Sequence, residues 1–249
     1  MKNWPRNELR ILVRFLRIKI PFFLLPFLID IPLQMHYSNP LFHLPETFAM
    51  HIIAGKFKNR ILNAPKSALT RPTSSRLRET LFNICQGKVE NAHFLDLFAG
   101  SGAIGLEALS RGAKKSTLVD SSRDSTLCIT QNIEKLQVKD SATVMCSDVF
   151  LAVKKLIKSG VQFDLIYADP PYQEKGMFDG QVRSYSLQLL MMLDEYPLLK
   201  ENGLFFIEDV PSDSLEKLEL ESLELVTSRR AGKAHLNEYR KVSISIPNS

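Results

Sequence analysis

Three cysteines in 249 residues (Cys85, Cys128 and Cys146) are too few, and too widely spaced, for a disulfide framework or a CxxC metal clamp. That scarcity fits a reducing compartment, and the cytoplasm is the expected location. The five histidines show no metal-ligand spacing, so no metal is expected. There is no Ser/His/Asp or Cys/His arrangement to support nucleophilic hydrolysis. Long hydrophobic runs are also missing. The most apolar stretch, Ile20–Leu33, covers about 14 residues, against the roughly 20 that a membrane helix needs. It contains Pro21, Pro26, Pro32 and Asp30, and no small-residue cleavage site of the A-x-A type follows it. Internal repeats and low-complexity tracts are absent.

Acid is missing from one place in particular. Between Met50 and Arg78 stand seven basic residues (Lys56, Lys58, Arg60, Lys66, Arg71, Arg76 and Arg78) and no Asp or Glu. The chain as a whole carries a net charge of +5. A solvated face is the plain reading of such a segment. A polyanion-binding arm is the sharper one, with Lys56, Lys58, Arg60, Arg76 and Arg78 as candidate RNA contacts.

Residues 1–49 do not share the pattern of the rest. Arg10, Arg14, Arg17 and Lys19 precede the proline-broken apolar run. A poorly ordered extension or a misplaced start ranks first for this segment, a peripheral anchor second and a cleaved leader last. Met50 is a natural alternative start. The expected domain runs over 50–249, with basic strands and a helix over 50–88 and a core over 89–249.

The core alternates apolar strands with amphipathic helices. His51–Leu62 reads as a short strand pair turning at Gly55, and Arg71–Gly87 as a helix capped by Thr73 or Ser74 and ended by Gly87. Strands are predicted at "HFLDLFA", "STLVD", "ATVMC", "FDLIYA" and "GLFFIED". Helices are predicted over Ala103–Arg111, Ser122–Leu136, Val149–Lys158, Val182–Leu193 and Ser212–Leu218. Two closing strands near Leu223–Ser228 and Ala234–Ile246 form a hairpin-like end. Single helices between strands imply a parallel, doubly wound α/β sheet with helices on both faces.

Four strand ends carry chemistry. "DLFAGSGAIG" (Asp96–Gly105) turns the first strand into a helix, and Gly100 and Gly102, with Ala99 beside them, let a ligand approach the backbone. The spacing Gly100, Gly102, Gly105 also satisfies a dinucleotide fingerprint, so the glycines alone do not choose a ligand. Asp120 ends the second strand, where it would meet ribose hydroxyls. Asp148 follows the third, within reach of an adenine amine or serving only as a helix N-cap. Asp96 would face an ammonium group. Amine, ribose and adenine together describe S-adenosylmethionine.

The fourth strand ends in "DPPY" (Asp169, Pro170, Pro171, Tyr172). The prolines stop the ladder and make a rigid corner. A base's exocyclic amine is a poor nucleophile because its lone pair is delocalised into the ring. The Asp169 carboxylate and the Pro170 carbonyl would hold that amine in line for transfer. Tyr172 offers a ring for a base to stack on, typically worth about 1–3 kcal/mol.

Taken with "HIIAGKFKNRIL", "RPTSSRLRETLFN", "FLDLFAGSGAIGLEALSRGA" and "LVD", the DPPY corner makes Met50 to the C-terminal strands resemble the RsmD-type family of class I S-adenosylmethionine-dependent methyltransferases. The resemblance implies a Rossmann-like, seven-stranded, mostly parallel sheet with an antiparallel last strand. It implies methylation of the N2 amine of guanine 966 in 16S rRNA, free or in an assembling small subunit. It also implies that Arg71 and Thr73, in the segment Arg71–Glu79, pack over the cofactor's methionine end. A monomer without an obligatory protein partner is expected. Asp120 is followed here by "SSRDS", a departure at the adenosyl side. Other readings of the same residues are a DNA or protein-glutamine amino-methyltransferase, a nucleotide-binding oxidoreductase and a non-enzymatic RNA-binding module.

Overall fold

The computed structural model describes residues 50–65, 75–171, 174–209, 219–231 and 234–242. Arg71, Thr73, Tyr172 and the helix expected over Ser212–Leu218 lie outside these residues, as does the extension 1–49.

Helix α1 (Ser75–Ile84) and a short helix α2 (Gln86–Val89) lead into strand β1 (His93–Leu97). Then follow α3 (Ala103–Ser110), β2 (Lys115–Asp120), α4 (Arg123–Leu136), β3 (Ala142–Cys146), α5 (Val149–Lys158) and β4 (Phe163–Ala168). A small hairpin, β5 (Lys175–Phe178) and β6 (Gln181–Ser184), precedes α6 (Tyr185–Glu195). Strands β7 (Leu199–Asp209), β8 (Leu223–Ala231) and β9 (Ala234–Lys241) complete the described chain.

Seven strands form one sheet in the order β3-β2-β1-β4-β7-β9-β8. The first five run parallel, and β9 pairs antiparallel with both β7 and β8. This is the doubly wound parallel sheet that strand–helix alternation predicts, with the antiparallel last strand that the resemblance implies. The chain lays strands outward from β1 to β3 and then crosses back, so β1 and β4 are neighbours built in opposite directions of winding. Such a reversal opens a crevice at the strands' carboxyl ends, where ligands bind in open α/β sheets.

Both sheet faces are covered, which explains why β1 and β4 read as nearly continuous apolar runs. On one face Phe94, Leu165, Tyr167 and Phe206 pack under α1, α3 and α4, through residues such as Leu81, Phe82, Ile104 and Ile129. On the other face Leu97, Ile166, Phe205 and Ile207 pack under α5 and α6, through Val153, Leu189 and Leu193.

Three sequence expectations need correction. Gly87 does not end the first helix; Cys85 does, and Gly87 sits inside α2. Residues 182–184 are strand rather than helix. Asp179 and Gly180, both at positive φ, make the tight turn of a hairpin there, and the helix starts only at Tyr185 with Ser184 as its cap. The segment His51–Ile61 closes by a single antiparallel bridge rather than two full strands.

Candidate active site

The glycine loop begins where β1 stops. Phe98 adopts φ +62, an uncommon backbone for a bulky residue, and Gly100 follows at +56. A side-chain carbon added at Gly100 would meet nothing within 4 Å, so glycine is required there by backbone geometry beside open space. The loop is pinned from three sides. The Ala99 amide donates to the Val119 carbonyl at 2.9 Å, the Gly100 amide to Asp120 Oδ2 at 2.8 Å, and the Gly105 amide to Asp96 Oδ2 at 2.8 Å. The other oxygen of Asp120 accepts the Ser122 amide at 2.8 Å. Asp120 therefore shapes two loops as well as standing at a strand end.

Asp96 is only 1 % exposed, and its Oδ1 has no hydrogen-bond partner among the described residues. A buried carboxylate oxygen of this kind is costly unless something donates to it. Burial pushes its pKa up to about 8; the Gly105 amide opposes this, while the carboxylates of Asp120 and Asp169 add to it. The site thus holds an acceptor that lacks a donor in a locally anionic setting. An ammonium group supplies what is missing, and the open space at Gly100 suits a ligand lying along the loop.

The Asp169 corner closes the crevice on the β4 side. Asp169 is half-buried, Pro170 buried and Pro171 exposed. The Glu174 amide donates to the Pro171 carbonyl at 3.1 Å. Beneath the corner, Tyr167 stands opposite Asp96 across the β1–β4 pair, and its hydroxyl donates to Glu208 on β7. Burial, followed by the nearby carboxylates of Glu208, Asp169 and Asp96, holds the Tyr167 phenol well above its ordinary pKa, so it stays a donor. Among the described residues no group of His, Cys, Asp and Glu is arranged to hold a metal ion.

The other expected residues separate. Asp148 is exposed, and its Oδ1 accepts the Leu151 amide at 3.0 Å, so it caps α5. Lys56, Lys58, Arg60 and Arg76 are exposed. Arg78 is not available to RNA. It lies on the buried stripe of α1 with Leu77, Leu81 and Phe82, and its guanidinium faces Glu107 at 3.8 Å. The reason is helical spacing: position 78 falls one turn from Phe82, on the face turned to the sheet.

Glu107 was not signalled by the sequence. Fully buried on α3, it accepts the Ile53 amide at 2.7 Å and the Ala54 amide at 2.9 Å, and it pairs with Arg111 at 2.8 Å. Ser110 continues the junction through the Phe57 amide, 2.9 Å away. Gly55 sits where an added carbon would lie 1.9 Å from the Ser110 carbonyl oxygen. The open end of this segment reaches the site, where Ser101 Oγ contacts Met50 Sδ at 2.9 Å. Its tip, with Lys56 and Lys58, lies by the far end of α3, about 12 Å along an eight-residue helix.

The family described as Conserved hypothetical protein 95 matches residues 50–240. The chain belongs to this family, the RsmD-type methyltransferases. It is 34 % identical to a Bacillus subtilis protein named "Putative rRNA methyltransferase YlbH", over 64 % of this chain and 82 % of that one. It is 31 % identical to Ribosomal RNA small subunit methyltransferase D of Escherichia coli K12, over 67 % of this chain and 77 % of that one. The solved Escherichia coli structure titled "Putative methyltransferase yhhF" superposes with a TM-score of 0.65 at 29 % identity, covering 78 % of this chain and 99 % of the other. The family match of this RsmD-type chain begins at Met50, where the basic segment starts.

Proposed function

We propose that the chain methylates the N2 amine of a guanine in small-subunit rRNA, at position 966 by family resemblance, with S-adenosylmethionine as the methyl donor. The observation that carries the reading is the meeting, at one crevice, of the Asp169–Pro170–Pro171 corner and the partnerless oxygen of Asp96. Bound there, S-adenosylmethionine supplies a methyl group made electrophilic by its sulfonium. Asp96 Oδ1 would accept from the cofactor's ammonium, the Ala99–Gly102 backbone would lie along its chain, and Asp120 would take its ribose. Asp148, whose Oδ1 caps α5, would turn its other oxygen to the adenine amine, and Arg71 and Thr73 would cover the methionine end.

On the substrate side, the Asp169 carboxylate and the Pro170 carbonyl accept the two N–H groups of the amine. That fixes the nitrogen lone pair toward the donor and offsets the positive charge growing on nitrogen. Tyr172 would stack on the guanine once it has left its own stack. The carboxylate of Asp169 is the nearest base for the proton that the amine finally gives up. Lys56, Lys58, Arg60 and Arg76 would take backbone phosphates.

We assign residues 50–249 to this catalytic domain, and we place the protein in the cytoplasm as a monomer. Among the described residues no helix is long and apolar enough to cross a membrane. The decisive experiment incubates the purified chain with radiolabelled S-adenosylmethionine and with rRNA or small subunits lacking the modification. Label should appear in one guanine, located by nuclease mapping. Label in DNA or in protein glutamine, with none in rRNA, would replace this reading with one of the alternatives.

A further inference from the structure

The hairpin β5–β6 stands where the sequence predicts no strands, and methyl transfer itself gives it no task. It starts close to the catalytic corner, because the Glu174 amide donates to the Pro171 carbonyl and Lys175 follows directly. Its inner face is fastened. Gln188, buried on α6, donates to the Gly176 carbonyl at 3.3 Å and to the Arg183 carbonyl at 2.9 Å, one acceptor on each strand. A side-chain carbon at Gly176 would press on that amide at 3.1 Å. Phe178 packs into the second core, and Arg183 reaches Met191 Sδ at 3.2 Å.

The outer face is different. Met177 and Val182 stand directly opposite each other across the two strands and are 68 % and 66 % exposed. By strand alternation Lys175, also exposed, shares their face. Single exposed apolar residues need no explanation. A cross-strand apolar pair, held rigid by a buried glutamine and set beside a site that must receive an unstacked base, does need one. Of the strand residues on that face only Lys175 is charged, which suits a polyanion; the hairpin's one acid, Asp179, is at the turn.

We propose that this hairpin is the wedge that opens the RNA: Met177 and Val182 fill the space the target guanine leaves in its stack, and Lys175 holds an adjoining phosphate. This rests on the methyl-transfer reading above. Apolar side chains inserted between bases are a general means of offsetting lost stacking, and a base must leave its stack before an enzyme can act on its amine. Rigidity is what makes such a wedge effective, since a floppy one would lose its own freedom on insertion.

The test compares the full chain with the Met177→Ser/Val182→Ser double variant on two substrates: a structured rRNA fragment, and a short unpaired oligonucleotide with the same guanine. A second copy of the structured fragment carries 2-aminopurine in place of that guanine, and its fluorescence rises when the base unstacks. The expected result is that wild-type protein brightens the probe while the double variant does not. The variant should lose about tenfold or more in kcat/KM on the structured fragment and little on the unpaired one. Affinity for S-adenosylhomocysteine should be unchanged, and Met177→Leu/Val182→Ile should restore both readouts. Wild-type fluorescence and rate in the serine variant would overturn the proposal, as would equal loss on both substrates. If the serine variant loses cofactor affinity, Met177→Gln alone is judged by the same two substrates. Failure of the wild-type protein to methylate either RNA would remove the functional reading itself and the wedge with it.

Discussion

Glu107 on α3 faces Arg78 on α1 at 3.8 Å, with both side chains shielded from solvent. The same carboxylate holds the Ile53 and Ala54 amides and the Arg111 guanidinium. Three stretches of chain are thereby joined at one buried anion. Removing one partner of a buried pair leaves the other uncompensated, at a cost of about 3–5 kcal/mol. Glu107→Ala is expected to lose stability on that scale in urea unfolding. Arg78→Met, which keeps the volume and leaves the amides and Arg111 on Glu107, should lose less than half as much.

Asp96 gives stability a pH dependence. Its carboxyl binds a proton up to about pH 8 in the fold but only to about pH 4 when unfolded. Between those values the folded state holds the extra proton, so this contribution is complete below about pH 4 and is lost as pH rises toward 8. Asp96→Asn should flatten that part of the stability profile, measured as melting temperature against pH. It should also weaken S-adenosylhomocysteine binding, because an amide cannot balance an ammonium.

Binding of a cation beside Asp96 should expel its proton. Calorimetric titrations of S-adenosylhomocysteine near pH 7, in buffers of different ionisation enthalpy, should show proton release by wild type. Asp96→Asn should show little or none.

At the corner, Asp169→Ala should leave the fold and cofactor affinity near normal and reduce methyl transfer by roughly 10²–10³-fold, the usual cost of one aligned electrostatic group. Single-turnover rates at saturating cofactor measure this directly. Near-normal turnover in a folded variant would dismiss Asp169 as the amine acceptor.

Replacing Lys56, Lys58 and Arg60 by glutamate should weaken RNA binding and flatten its salt dependence, by about 0.7 in log–log slope for each single-strand phosphate that is no longer neutralised. Cofactor affinity should hold, since two of the three lie at the end of α3 remote from the glycine loop. Equal slopes for wild type and variant would reduce this basic segment to a solvated face.

Much of this molecule is written in local chemistry. Strand–helix alternation, the glycine turn after β1 and the prolines after β4 each depend on residues adjacent in sequence, so the winding of the sheet and the place of its crevice were legible in advance. The Asp-Gly turn of the hairpin was equally local; the apolar periodicity beginning at Val182 outweighed it and pointed to a helix starting too early. What tertiary structure alone decided is where the charges went. Arg78 looked like one more cation in a basic run, and Glu107 like any acid on a helix. Whether a charge meets phosphate, water or a buried partner depends on which faces of α1 and α3 pack together, some thirty residues apart in sequence. The buried Tyr167–Glu208 pair was hidden for the same reason: spacing along the chain fixes turns and periods, whereas only packing against another element fixes the partner of a buried polar group.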